Sequence, residues 1–127
     1  KKPTIEKPLT EVELEIMNAI WDLGECNVKD VQVALSKERE LAYTSVATIM
    51  KILQQKGALS LRKDDRAHTY VTLLTRSEYE AVSLQHLAQN LFRGNPSSMV
   101  ARLLSDSDLS SDELKAICKI LDERMAK

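Results

Sequence analysis

Apolar residues recur every three or four positions from Val12: Ile16, Ile20 and Leu23 follow, with Met17 beside them. That spacing predicts an amphipathic helix. Thr10, with Glu13 three residues on, forms a capping box at its start, and Gly24 supplies a stop. Asn27 is placed to cap a second, shorter helix, whose buried side is marked by Val28, Val31, Val33, Ala34 and Leu35. The charged residues 37–40 connect it to a third helix from about Thr44 to Lys56. Gly57 stands where a left-handed terminating residue is wanted.

After Gly57 the period changes from helical to alternating. Leu59 and Leu61 are separated by polar residues, Asp64-Asp65-Arg66 interrupts, and Thr69, Val71 and Leu73 alternate again. This predicts two short antiparallel strands joined by a polar tip. Thr75 with Glu78 forms another capping box and opens a long helix to about Phe92, ended by Gly94 and Pro96. A short apolar segment, Met99 to Leu104, follows. Ser110 with Glu113 then caps a last helix bearing Leu114, Ile117, Cys118, Leu121 and Met125 on one stripe.

Three helices followed by a hairpin is the order of a winged helix-turn-helix. The fold class expected is therefore mainly α with a small β wing. A winged-helix domain spans residues 1–75 and a helical dimerisation region spans residues 76–127. The C-terminal helices are surplus to the winged unit, and a narrow apolar stripe needs a partner surface, for which a second copy is the simplest source. The candidate dimer face comprises Leu87, Leu91, Phe92, Leu103, Leu114, Ile117, Cys118, Leu121 and Met125. His86 is placed on a helix face near it.

Composition bounds the class. The 127 residues are 43% hydrophobic and 29% charged, enough to build a core. With 4% aromatic residues and three each of Gly and Pro, a sandwich or barrel of many short strands is excluded. No apolar run approaches the roughly 18 residues of a membrane span, and no signal peptide is recognised at the start. A cytoplasmic protein without direct membrane contact is expected.

The net charge of −1 hides a pattern. Residues 1–9 carry +2, residues 10–40 carry −5, residues 41–76 carry +4 and residues 77–127 carry −2. Phosphate affinity depends on local charge, so the basic segment is the one suited to nucleic acid. On the third helix, Val46, Ile49, Met50 and Leu53 form the inward stripe. Thr44, Thr48, Lys51 and Gln55 fall on the opposite side, with Ser45 near the start. Short hydroxyl side chains let a helix approach base edges, a Thr methyl can touch a thymine methyl, and Lys51 can reach a phosphate or a guanine edge. The free amides at the helix start suit a phosphate. Arg62, Lys63, Arg66 and His68 of the hairpin suit backbone contact, while Asp64 and Asp65 should turn away. Tyr43 either donates to a phosphate or packs beneath the wing.

Several tracts carry a family resemblance. Leu9-Thr10-Glu11 leading into Ile20-Trp21, then Ala42-Tyr43-Thr44-Ser45-Val46-Ala47-Thr48, Lys56-Gly57 and Arg66-Ala67-His68-Thr69-Tyr70 resemble the penicillinase and methicillin-resistance repressors. This is the BlaI/MecI type, which also includes the CopY-type copper-responsive repressors. The resemblance runs from about Leu9 to the last helix, and Ala42 to Thr48 is its most specific element. It implies a homodimeric transcriptional repressor that binds double-stranded operator DNA with palindromic symmetry and dimerises through its C-terminal helices. In the antibiotic-responsive members, a membrane sensor detects a β-lactam and a regulatory protease cuts the repressor in its C-terminal domain. The scissile Asn-Phe pair of the family falls here at Arg102-Leu103, so cutting at this position would call for a different protease. The paired CxC motifs of the copper branch have no counterpart beyond Cys118, which argues against a copper response.

No enzymatic constellation accompanies these features. Cys26, Cys118, His68 and His86 sit at no catalytic or metal-ligand spacing, and no Gly-rich phosphate loop exists. No metal and no cofactor are expected. Cys118, on an apolar stripe, is expected to be a buried inert thiol, whereas Cys26, in a turn, is either inert or exposed and redox-active. The alternative function is a winged helix used as a protein-interaction adaptor without DNA binding. That reading predicts acids or large apolar groups on the outer face of the third helix, and the sequence has none there.

Overall fold

Thr10 Oγ1 accepts from the Glu13 amide at 3.2 Å, and Glu13 Oε1 accepts from the Thr10 amide at 2.9 Å. This reciprocal cap starts α1 (Glu11–Leu23) in the computed structural model, which describes residues 8–63 and 68–127. Asn27 starts α2 (Val28–Leu35) in the same way with Asp30. The third helix, α3 (Tyr43–Gln55), has Ala42 at its N-cap and no side-chain cap. At its far end Gly57, at φ 90°, donates to the Gln54 carbonyl while Ala58 donates to that of Leu53. That pair of bonds is a Schellman stop, and it turns the chain directly into the wing.

The wing is β1 (Leu59–Lys63) antiparallel to β2 (His68–Thr72), with Leu61 opposite Tyr70 and Lys63 opposite His68. Leu59, Leu61 and Tyr70 share the inward face. The alternation expected in the second strand is therefore out of phase: Tyr70 is buried, Val71 half-buried and Leu73 exposed. A non-local pairing sets the phase. Cys26 exchanges two backbone hydrogen bonds with Tyr70, at 3.2 and 2.7 Å, and so adds a single-residue third rung to the sheet.

The core of this first unit gathers Ile16, Met17 and Ile20 from α1, Val31 and Leu35 from α2, and Val46, Met50 and Leu53 from α3. Leu59, Tyr70, Leu74 and Tyr79 close it from the wing side and beyond. Two positions expected inside are not: Leu23 stands exposed at the last residue of α1, and Val33 because an eight-residue helix buries a narrower stripe than five apolar residues would fill. The following helix, α4 (Arg76–Asn90), begins with the Thr75–Glu78 capping box. Its first turns belong to this core. Tyr79 is buried and its hydroxyl accepts from the Leu9 amide at 2.9 Å. The Trp21 indole donates to the Leu74 carbonyl at 2.9 Å, under the guanidinium of Arg76. Whereas the capping signal divides the chain at 75/76, the compact units divide at 86/87, since Tyr79 carries part of α4 into the first.

The second unit, Leu87–Lys127, contains α5 (Pro96–Asp106) and α6 (Ser111–Met125). The short apolar segment foreseen around Met99 is thus a full helix, capped by Asn95 with Pro96 in its first turn. The Ser110–Glu113 box opens α6. No residue of α5 or α6 is buried, and Leu91, Leu103, Leu121 and Met125 are at least half exposed. Cys118 is exposed as well in the single chain, so the buried thiol expected for it would require a cover from outside this chain. None of the described helices is long and apolar enough to cross a membrane.

Glu13 is the buried acid of the core, and its carboxylate takes two hydrogen bonds from Lys56 Nζ, at 2.9 and 2.8 Å. Burial alone would raise its pKa. The Lys56 ammonium and the Thr10 groups outweigh that and hold it below the ordinary 4.5. A depressed carboxylate contributes stability that is complete above 4.5 and fades as pH falls through its folded value. Lys56→Met should therefore cost on the order of 1 kcal/mol at neutral pH, given that the lysine is part-exposed. In urea titrations the gap from the parent protein should close as pH drops below 4.5. A gap that stays constant with pH would show that the pair does not govern this stability.

Candidate nucleic-acid interface

A helix rotates 100° per residue, so Thr44, Thr48, Lys51 and Gln55 fall within about 60° of arc on α3. All four are exposed, as is Ser45. Val46, Met50 and Leu53 on the other side are fully buried, so the outward direction of the polar face is fixed by the core. Over its 13 residues α3 runs about 20 Å, longer than the roughly 12 Å width of a major groove. Thr48 Oγ1 donates to the Thr44 carbonyl at 2.8 Å, which holds the side chain back along its own helix. Lys51 is exposed at the middle of this strip.

The approach to α3 is held by a residue that periodicity does not reveal. Gln32 Nε2 donates to the Leu41 carbonyl at 3.0 Å and ties α2 to the chain just before the uncapped start of α3. Tyr43 is about half exposed. The Tyr70 phenol has a raised pKa, first from burial and then from the neighbouring Tyr43, so the helix start and the wing lie side by side.

Arg62, Lys63 and His68 are exposed on the wing, the last two facing each other across the strands at the base of the tip. Arg66, Asp64 and Asp65 lie outside the described residues. Arg62 donates to Glu25 Oε1 at 2.6 Å, a partner the sequence offered no signal for, since the two are 37 positions apart. Cys26, next to Glu25, is buried, and burial together with Asp30 pushes its thiol up to about 11. Its surroundings favour the neutral thiol and disfavour the reactive thiolate. Among the described residues, no three His, Cys, Asp or Glu side chains converge to hold a metal ion. The Arg102-Leu103 bond lies inside α5, with Arg102 paired to Asp106 at 2.8 Å one turn on.

A family model described as penicillinase repressor matches residues 9–123. The chain belongs to the penicillinase repressor family. Among similar members of that family is the penicillinase repressor of Bacillus licheniformis, 30% identical over 115 residues that cover 91% of this chain and 90% of the relative. The transcriptional regulator BlaI of Mycobacterium tuberculosis is 32% identical over 117 residues, covering 91% of this chain and 83% of its own. Two solved structures of this family superpose on part of the chain. The solution structure of the DNA-binding domain of the repressor BlaI has a TM-score of 0.51 at 30% identity, covering 62% of this chain and 92% of that one. The monomeric form of Bacillus licheniformis BlaI, in complex with the blaP half-operator, gives 0.50 at 30% identity, over 57% and 89%. Both likenesses include a winged helix.

The buried thiol gives a direct check on the first unit. With its pKa raised from 9.0 to about 11, Cys26 should carry about a hundredfold less thiolate than a free cysteine near neutral pH. A soluble alkylating reagent applied to the native protein at pH 8 should leave the Cys26 peptide unmodified, and denaturant should expose it. Rapid native labelling of Cys26, read by peptide mass, would contradict the burial.

Proposed function

We propose that this chain is a transcriptional repressor that binds a palindromic operator as a homodimer, with α3 in the major groove and the wing along the backbone. The observation that carries the proposal is the outward strip of Thr44, Thr48, Lys51 and Gln55 on a helix whose other side is wholly committed to the core. Thr44, Ser45 and Thr48 offer short hydroxyl side chains, and the two threonines methyls, to base edges, while Lys51, Lys63, Arg62, Arg66, His68 and Tyr43 serve phosphates. The relative solved with its half-operator supports the same use of the shared winged unit. Asymmetry between the two groups is the expected design: base contacts specify, phosphate contacts hold.

Dimerisation is assigned to apolar positions of the second unit that are exposed or only part-buried: Leu87, Leu91, Phe92, Leu103, Leu114, Ile117, Cys118, Leu121 and Met125. Two linked half-sites then bind cooperatively, because the second engages at high local concentration. Release follows from anything that separates the copies. A regulatory protease acting at Arg102-Leu103 would have to unwind α5 first, since proteases read extended chain and Arg102 is held to Asp106 within the helix.

Duplex selected from a random pool should show two-fold symmetry, and binding should weaken steeply with salt as counterions are released. Lys51→Ala should weaken all sequences alike and reduce the salt slope by about 1. Thr48→Ala should instead relax base preference at one position in each half-site, at a cost on the order of 1 kcal/mol. Parent-like affinity and preference in both variants would remove α3 from the interface.

Leu121→Asp places a carboxylate in the proposed seam, where burial without a partner costs several kcal/mol, about a hundredfold or more in dimer affinity. Sedimentation should find monomers, and affinity for a full operator should fall while affinity for a half-site holds. A stable dimer after this substitution would displace the seam from α6.

A further inference from the structure

The Arg62–Glu25 pair gives the wing an internal competitor for DNA. Cys26 pairs with Tyr70, so Glu25 lies on the β2 side of the sheet one residue from that rung. Arg62 stands opposite Thr69 on β1, so both side chains project from the outer face and meet across β2. The contact is close at 2.6 Å, and both groups remain about half exposed. It is thus a surface pair in water, the kind that exchanges partners readily, rather than a buried clamp. Glu25 also follows Gly24, whose φ of 82° reverses the chain and carries Glu25 to the sheet.

Resting on the DNA-binding reading above, we propose that Glu25 tunes the wing's grip on the duplex backbone: it holds the Arg62 guanidinium away from phosphate and so lowers sequence-independent affinity. An arginine neutralised by its own chain releases no counterion from DNA until it leaves that partner, and the abandoned carboxylate then repels the backbone. Each wing contact is weakened on every sequence alike. Because the cost falls equally on operator and random duplex, the difference between them is still set by the side chains of α3. The pairing of Glu25 with Arg62 is what links the turn between α1 and α2 to this balance.

The test uses the full-length protein and a mixed-sequence duplex titrated at several salt concentrations. Glu25→Gln, which keeps size and hydrogen bonding, should bind that duplex about two- to fivefold more tightly at low salt, the range of an exposed ion pair. Its salt slope should steepen by about 0.9, one further phosphate neutralised. In an Arg62→Ala background the same substitution should change neither quantity. Unchanged or weaker binding by Glu25→Gln would overturn the proposal, as would an equal gain in the Arg62→Ala background. A parent protein that shows no salt-dependent duplex binding would instead sink the DNA-binding reading itself, so the two failures are distinguishable.

Discussion

The winged unit depends on a single commitment: α3 gives one whole side to the core. Val46, Met50 and Leu53 are fully buried against α1 and α2, and each such burial contributes roughly 1.5–3 kcal/mol. Turning α3 by one residue would bring Ala47, Lys51 and Gln54 inward instead. A lysine there would lose its hydration without gaining a partner, and three large apolar groups would face water. The direction of the polar strip is therefore a consequence of the apolar one. An outward face of short hydroxyls and one lysine contributes little to stability, and here it has no need to.

Apolar burial fixes rotation but not position along the axis, because it has no direction of its own. Polar contacts at the two ends of α3 supply that. At the C-terminal end Lys56 reaches Glu13, a carboxylate already engaged in the cap of α1, so one residue joins the start of the first helix to the end of the third. At the N-terminal end Gln32 holds the Leu41 carbonyl, which sets where the chain enters the helix. The Schellman stop at Gly57 then passes the chain to β1 without slack. The strip on α3 and the basic wing are thus joined by a short, hydrogen-bonded connection.

What was legible in the sequence was local. The capping boxes at Thr10, Thr75 and Ser110 pair residues three apart and are present as read, since chain proximity alone decides whether they can form. The two faces of α3 were legible because the same pattern repeats over about three turns. The winged-helix order followed from those elements. The errors share the opposite property. The inward residue of β2 is Tyr70 because Cys26 pairs with it from 44 positions away, and nothing in the alternation of Thr69, Val71 and Leu73 carries that information. Leu23 and Val33 look buried by periodicity, yet exposure at the ends and flanks of short helices depends on what packs there. Within the candidate site, the exposed positions on α3 were readable from spacing, whereas the Arg62–Glu25 and Gln32–Leu41 contacts were not.

The second unit poses the converse problem, a set of well-capped helices with no interior. Isolated helices shorter than about 12–15 residues are marginal in water, and α5 and α6 have 11 and 15. Ordering each residue of the backbone costs roughly 1–2 kcal/mol, which caps worth about 1 kcal/mol apiece do not offset. Burial has to supply the difference, and neither α5 nor α6 buries a residue within the chain. The exposed stripe of Leu114, Leu121 and Met125 is therefore surface awaiting a cover. A second copy brings an identical stripe, and an isologous contact needs no other complementarity than that of the stripe with itself. In the proposed dimer, folding of the C-terminal helices and pairing of the winged units become one equilibrium. Any event that uncovers this stripe lowers affinity for a two-half-site operator while leaving every residue of α3 unchanged.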